Sequence, residues 1–220
     1  MSRKFPLPLF AVMLVMAAAV PVAIAGGNGC ERGATECTGT SGSDKLTTGN
    51  TDDVIRGGGG NDRLNAKGGD DALFGDGGND TLHAGTGSDT SEGGPGRDII
   101  LGDEAGAGGR DTIDGGSGSD RLFGMAGNGD VIDGGPGNDV IHGGLGRNDV
   151  HRGGSGDDTL DDAPRGRAAP DVFEGGAGND DIYTRDGQRD RVDCGAGRDI
   201  AKVDSKDRVA SNCERVVRIG

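Results

Sequence analysis

A repeat of nine residues constrains this chain more than any other feature of its sequence. From Gly57 to Leu101 the blocks read GGGGNDRLN, AKGGDDALF, GDGGNDTLH, AGTGSDTSE and GGPGRDIIL. A small residue opens each block, Gly holds the fourth place, Asp the sixth, and usually an aliphatic residue the eighth. Because Gly loses more conformational entropy on folding than other residues, its return at fixed places indicates turns that use its backbone freedom.

The last three residues of a block alternate, with only the middle one apolar, which is the period of a very short strand. One turn and one such strand cannot bury a single aliphatic side chain, but stacked copies can. We therefore predict an all-β fold, a parallel β-roll (β-solenoid). Its buried residues should include Leu64, Leu73, Leu82 and Ile100; Ser91 breaks the rule.

Composition agrees with a thin core. The 220 residues include 48 Gly, one Tyr and no Trp, a composition that without a period would indicate disorder. The net charge is −14, and removing the first 25 residues, with Arg3 and Lys4 and no acid, leaves 21 − 37 = −16. Such a charge disfavours nucleic acid as a partner, because phosphate binding needs clustered Lys and Arg. It suits cations.

The sixth-place Asp carries the chemistry. Stacking brings these carboxylates and the turn carbonyls together, and unpaired like charges repel. Ca²⁺ resolves this, because it takes six to eight oxygen ligands in flexible geometry, whereas Mg²⁺ demands a strict octahedron. The candidate calcium ligands are Asp44, Asp53, Asp62, Asp71, Asp80, Asp89, Asp98, Asp111, Asp120, Asp130, Asp139, Asp149, Asp158, Asp171, Asp180, Asp190 and Asp199.

These blocks resemble the nonapeptide G-G-x-G-x-D-x-U-x of RTX (hemolysin-type) calcium-binding proteins. The resemblance covers roughly residues 39 to 200. It implies a parallel β-roll in which successive turns hold Ca²⁺ between them, with Asp side chains and turn carbonyls as ligands. It indicates no macromolecular partner.

The first 25 residues have the form of a secretory signal peptide. Arg3 and Lys4 precede an apolar stretch, and Ala23-Ile24-Ala25 supplies small residues for cleavage. A membrane anchor is the alternative, but the apolar run is short for a span and contains Pro8. We expect a secreted, extracellular protein with no membrane span in the mature chain.

We expect four segments: the signal peptide (1–25), an N-terminal disulfide cap (26–38), the repeats (39–202) and a C-terminal cap (203–220). The register slips at a four-residue insertion, 102–105, and at the loop 163–170, while Asp130 and Asp149 each come one residue late.

Four Cys in an exported chain suggest two disulfides, for which three pairings exist. A roll of this length spans on the order of 45 Å, whereas a disulfide joins Cα atoms only about 6 Å apart. Cys30 and Cys37 lie at one end of the chain and Cys194 and Cys213 at the other. This favours Cys30–Cys37 and Cys194–Cys213.

Other chemistry is less favoured. His83, His142 and His151 are interpreted as strand residues rather than zinc or catalytic groups, and no H-E-x-x-H, G-x-S-x-G or phosphate-binding motif occurs. Asp pairs such as Asp70-Asp71 could act as acid and base, but their recurrence favours calcium ligation.

The repeats leave no room for a catalytic domain, so we expect no enzyme. The leading hypothesis is a calcium-binding protein with a structural, surface or interaction role. The alternatives are a non-catalytic accessory module of a secreted enzyme or adhesin, and an export or toxin module.

Overall fold

The chain winds so that each strand pairs in parallel with the strand one coil away. The structure is a computed structural model that describes residues 23–24, 30, 35–103, 108–162 and 170–219. Its strands form two parallel sheets, of eleven and ten strands in these ranges, and successive strands of the chain alternate between the sheets from Glu36 onward. The described residues contain no helix, so none that could span a membrane is found there. The predicted all-β parallel β-roll is confirmed.

The first sheet contains eleven strands in the described part of the chain. Their bounds are Ala23–Ile24, Glu36–Thr38, Val54–Arg56, Ala72–Phe74, Thr90–Gly96, Thr112–Gly118, Val131–Pro136, Val150–Ser155, Val172–Ala177, Arg191–Ala196 and Arg208–Val209. The second sheet consists of Lys45–Thr47, Arg63–Asn65, Thr81–Gly85, Ile99–Asp103, Arg121–Phe123, Val140–His142, Thr159–Asp161, Asp181–Thr184, Ile200–Asp204 and Arg215–Ile219.

The core is a double row of eighth-place side chains between the sheets. Strand register places Leu64 beside Leu46 and Leu82, so identical positions stack coil upon coil. Leu64, Leu73, Leu82 and Ile100 are all fully buried, as predicted. Ser91 and His151 occupy the same position and are equally buried, although both are polar. Each complete coil therefore contributes two eighth-place core side chains, one from each sheet.

Two kinds of turn connect the sheets. The regular turn row leads from the first sheet to the second, and each turn has six residues from first place to Asp: 39–44, 57–62, 75–80, 93–98, 115–120, 134–139, 153–158, 175–180 and 194–199. The variable turn row leads back: 48–53, 66–71, 84–89, 102–111, 124–130, 143–149, 162–171 and 184–190. Every insertion inferred from the sequence falls in the variable turn row.

The ends of the roll carry the disulfides. Cys30 bonds to Cys37 with a Cα–Cα distance of 5.6 Å, and Cys194 bonds to Cys213 at 5.2 Å. Both predicted pairings are confirmed. Within the expected signal peptide, Ala23–Ile24 pairs with Cys37 and Thr38; the rest of that segment lies outside the described residues.

Candidate metal centre

From Asp62 onward, each sixth-place carboxylate accepts a backbone N–H from the coil before it. The N–H of Asp120 donates to Oδ1 of Asp139 over 2.8 Å, and the N–H of Asp98 donates to Oδ1 of Asp120 over 2.8 Å. The same contact recurs along both turn rows at 2.7 to 3.0 Å, even where the coil is longer by an insertion. These contacts form two hydrogen-bonded Asp ladders.

All seventeen predicted aspartates are buried, and the two ladders divide them. The regular turn row brings together Asp44, Asp62, Asp80, Asp98, Asp120, Asp139, Asp158, Asp180 and Asp199. The variable turn row holds Asp53, Asp71, Asp89, Asp111, Asp130, Asp149, Asp171 and Asp190. Asp44 and Asp53, the first in each row, accept hydrogen bonds from their own turns, for example from the N–H of Thr40 to Asp44 at 2.6 Å.

The second oxygen of most ladder carboxylates is buried and accepts no hydrogen bond from the described residues. A buried acceptor without a partner costs free energy, so such atoms call for a ligand. The Oδ2 atoms concerned are those of Asp62, Asp71, Asp80, Asp89, Asp98, Asp111, Asp120, Asp139, Asp158, Asp180, Asp190 and Asp199.

Burial also disfavours the charged form of these groups. Desolvation raises the pKa of Asp80 and of Asp98 to about 6, and the negative charges of neighbouring Asp residues add to the effect. The pKa values of Asp71 and Asp158 rise to about 7 for the same reasons. Without a cation, the ladders are therefore rows of carboxylates that resist ionisation.

The regular turn row leaves a cradle beside Oδ2 of the sixth-place Asp wherever Gly holds the first place, which is every turn of this row except 194–199. A Cβ atom at Gly75 would lie 2.6 Å from Oδ2 of Asp80 and 2.5 Å from the carbonyl oxygen of Gly93, one coil on. At Gly115 the corresponding distances, to Asp120 and to Gly134, are both 2.7 Å. A carboxylate oxygen and a carbonyl oxygen from adjacent coils therefore face one space that only Gly leaves open. Such oxygen ligands fit Ca²⁺.

The variable turn row lacks this cradle in its first three turns. Thr48, Ala66 and Ala84 stand at the first places of these turns and are buried, so their Cβ atoms occupy the position that Gly leaves open in the other row. The hydroxyl of Thr48 donates to the carbonyl oxygen of Ala66 over 3.2 Å, so this carbonyl already has a hydrogen-bond partner. The repeat geometry therefore fits a cation better in the regular turn row.

Five acidic residues that sequence reasoning missed join these rows. Asp207 and Glu214 end the ladders by accepting the N–H groups of Asp190 and Asp199. The sequence did contain a signal, because Asp207-Arg208-Val209 and Glu214-Arg215-Val216 repeat the pattern of Asp190-Arg191-Val192. The others lie in clusters of three carboxylates: Asp103 with Asp89 and Asp111, and Asp162 and Asp186 with Asp190.

The histidines behave as strand residues. His83 is exposed, and Nδ1 of the half-exposed His142 lies 3.7 Å from a carboxylate oxygen of Asp161. His151 is buried against Phe173, with ring centroids 4.6 Å apart. In the described ranges, no His belongs to a group of three potential metal ligands.

Stacked glycine turns with inward carboxylates define the class of calcium-binding β-rolls. The family model for the RTX calcium-binding nonapeptide repeat (4 copies) matches residues 38–73, 66–100, 105–129, 129–150 and 165–189, which is more than half of the chain. The protein belongs to this family, whose repeats bind Ca²⁺. No curated protein matches the chain.

Proposed function

We propose that this protein is an exported calcium-binding β-roll with a structural, surface or interaction role, and that its coils assemble when Ca²⁺ binds between the turns. The observation that supports this most strongly is the row of buried Oδ2 atoms that accept no hydrogen bond from any described residue. A cation there would neutralise carboxylates that burial otherwise disfavours.

The proposed ligands are the seventeen ladder aspartates and the turn carbonyls of the next coil. The regular turn row is the main site, because its first-place Gly residues leave the cradle open. Asp80, with a neighbouring coil on both sides, represents an interior site, and Asp44 represents the edge. Affinity should suit an extracellular setting, with dissociation constants of about 10⁻⁴–10⁻³ M.

The disulfides support export, and the net charge supports cation binding. Both disulfides join residues that are close in space, and disulfides persist in oxidising compartments. The net charge of −16 after residue 25 favours cations over polyanions. The role proposed is non-enzymatic, since the RTX β-roll is a structural calcium-binding fold.

The test is far-ultraviolet circular dichroism of the disulfide-intact protein, first with chelator and then with graded Ca²⁺. We expect the β signal to be lost on chelation and restored by Ca²⁺, because the site exists only when coils stack and binding free energy becomes folding free energy. Mg²⁺ at equal concentration is the control and should restore less. An unchanged β signal through the series would show that packing alone holds the roll.

A further inference from the structure

One coil of the variable turn row differs from the rest in having both an open cradle and an extra carboxylate. The ten-residue turn 102–111 starts with Gly102. A Cβ atom at Gly102 would lie 2.6 Å from Oδ2 of Asp111 and 2.9 Å from the carbonyl oxygen of Gly124. The cradle that Ala66 and Ala84 fill in earlier coils is therefore open here.

Asp103, the second residue of this turn, adds a third carboxylate. One oxygen of Asp103 lies within 4.8 Å of an oxygen of Asp89 and of Asp111. The three side chains belong to residues that are only 1 to 3% exposed. Their carboxylates converge from two successive turns, 84–89 and 102–111.

Each of these carboxylates already uses one oxygen in the fold. Oδ1 of Asp89 accepts the N–H of Asp71, Oδ1 of Asp111 accepts the N–H of Asp89, and Oδ2 of Asp103 accepts the N–H of Gly109 at 3.1 Å. The remaining oxygens, Oδ2 of Asp89, Oδ1 of Asp103 and Oδ2 of Asp111, are buried and accept no hydrogen bond from the described residues.

No basic side chain of the described ranges forms an ion pair with these three groups. Arg110, the neighbour of Asp111, donates instead to the carbonyl oxygen of Gly129 over 2.9 Å. Desolvation and the nearby negative charges raise the pKa of Asp111 to about 8 and that of Asp103 to about 7. The described residues therefore supply no ion-pair partner for this cluster.

We propose that Asp89, Asp103 and Asp111, with the carbonyl oxygen of Gly124, form a dedicated Ca²⁺ site that binds more tightly than the nonapeptide turns. Calcium affinity rises with the number of charged ligands and with site rigidity. A repeat cradle such as that at Gly75 faces one free carboxylate oxygen, whereas this cluster brings together three carboxylates that each have one free oxygen. The insertion that interrupts the repeat is thus the feature that builds the site. The inference deepens the proposed function and rests on the same fold.

The experiment counts ions on the disulfide-intact protein by native mass spectrometry. Samples are saturated with Ca²⁺ and then dialysed against buffers of falling free Ca²⁺, with circular dichroism recorded in parallel. We expect one ion per chain to remain at roughly tenfold lower free Ca²⁺ than the rest. In Asp103→Asn this last ion should be released together with the others.

Asp103→Asn is chosen because its side-chain oxygen can still accept the N–H of Gly109. Asp103→Ser is the second variant and should lose the same ion. The matched control is Asp114→Asn, which also removes one negative charge but at an exposed position of the next strand; it should retain the ion.

The outcomes separate the two proposals. Identical ion counts for the wild type and both Asp103 variants at every free Ca²⁺ would overturn the dedicated site, even if calcium still folds the roll. Loss of the ion in Asp114→Asn as well would overturn it too. A third outcome is that one Asp103-dependent ion is retained while chelator leaves the β signal unchanged. This would support the site and overturn calcium-coupled folding.

Discussion

Oδ1 of Asp80 accepts the backbone N–H of Asp62 at 2.7 Å, while Oδ2 of the same carboxylate is buried and accepts no hydrogen bond from the described residues. One oxygen thus links two coils, and the other is left for a cation. We therefore propose two separable roles for the sixth-place Asp of the repeat, one in linking the coils and one in metal binding.

The first prediction separates these roles by comparing Asp80→Asn with Asp80→Ala. Asn keeps an oxygen for the N–H of Asp62 but loses the anionic ligand, so it should raise the Ca²⁺ concentration needed for folding without destabilising the chelated chain. Ala also leaves a buried N–H unsatisfied, which costs about 1–3 kcal/mol. Calcium titrations followed by circular dichroism measure both effects.

Asp71→Asn is the matched control in the variable turn row. Its ladder contact, from the N–H of Asp53 at 2.8 Å, is equivalent, but Ala66 fills the first place of its turn. We expect a smaller shift of the calcium midpoint than for Asp80→Asn. Equal shifts would contradict the assignment of the main sites to the regular turn row.

The second prediction is that acid partly substitutes for calcium. Burial raises the folded-state pKa values of Asp80 and Asp98 to about 6 and of Asp158 to about 7, from 3.8. A raised pKa means that the folded state binds more protons, so the free energy of unfolding increases as pH falls through about 7 to about 4, and this stabilisation is lost again as pH rises. The chelated chain should gain β signal in that window.

The calcium-loaded protein should respond in the opposite sense, because protons compete with Ca²⁺ for the same oxygens. The double variant Asp80→Asn/Asp98→Asn removes two of the titrating groups and should reduce the acid-induced gain. A chelated chain that stays unfolded from pH 7 to pH 4 would contradict the prediction.

The third prediction concerns two glycines that sequence composition alone does not distinguish. Gly118, at a fourth place, has φ of +145°, and a Cβ atom there would overlap the carbonyl oxygen of Gly96 in the coil before. Gly118→Ala should therefore cost more than about 2 kcal/mol, combining backbone strain with displacement of the stacked coil. Thermal unfolding in saturating Ca²⁺ measures the loss.

Gly77, at a third place, is the matched control. Its φ is not positive, and a Cβ atom there would meet nothing within 4 Å. Gly77→Ala should stabilise by about 0.4–1 kcal/mol through reduced unfolded-state entropy. Equal effects at the two positions would show that coil stacking does not depend on the fourth-place Gly.

The nine-residue period was sufficient to predict the fold, because each place maps to one environment: first and fourth places to crowded backbone, sixth to the ladder, eighth to the core. The Cys pairing followed from the length of the roll. The two turn rows were not predicted, although alternate repeats must fall on opposite edges. If successive repeats are assigned alternately to the two edges, all the irregularities fall on one edge: the insertions at 102–105 and 163–170 and the late Asp130 and Asp149.

The hydrogen bonds of the ladder could not be inferred from spacing. A six-residue turn is compatible with a carboxylate that uses both oxygens for metal, and only the backbone path shows that Oδ1 meets an N–H one coil away. Asp103 was missed for a related reason: it lies outside the nonapeptide pattern, and its approach to Asp89 and Asp111 depends on the course of an inserted turn.

The last prediction concerns His151, which occupies an eighth place of the core. It is fully buried between Ile132 and Phe173 in strand register, and neither ring nitrogen has a hydrogen-bond partner among the described residues. Burial lowers its pKa to about 4, from 6.5. Here the unfolded state binds the proton more readily. The contribution of His151 to the free energy of unfolding is therefore at its maximum above about pH 6.5, and it decreases as pH falls towards about 4.

His151→Leu replaces the ring with the side chain that other coils use at this place. It should stabilise the calcium-loaded protein by about 1–3 kcal/mol, the cost of a buried polar group without a partner. It should also remove the part of the acid sensitivity between about pH 6.5 and 4 that this ring causes. His83→Leu, at an exposed position, is the control and should change neither quantity appreciably. Thermal unfolding at pH 7 and pH 5 in saturating Ca²⁺ measures both. A less stable His151→Leu protein, with the acid sensitivity of the wild type, would mean that the imidazole makes a stabilising interaction that outweighs its desolvation.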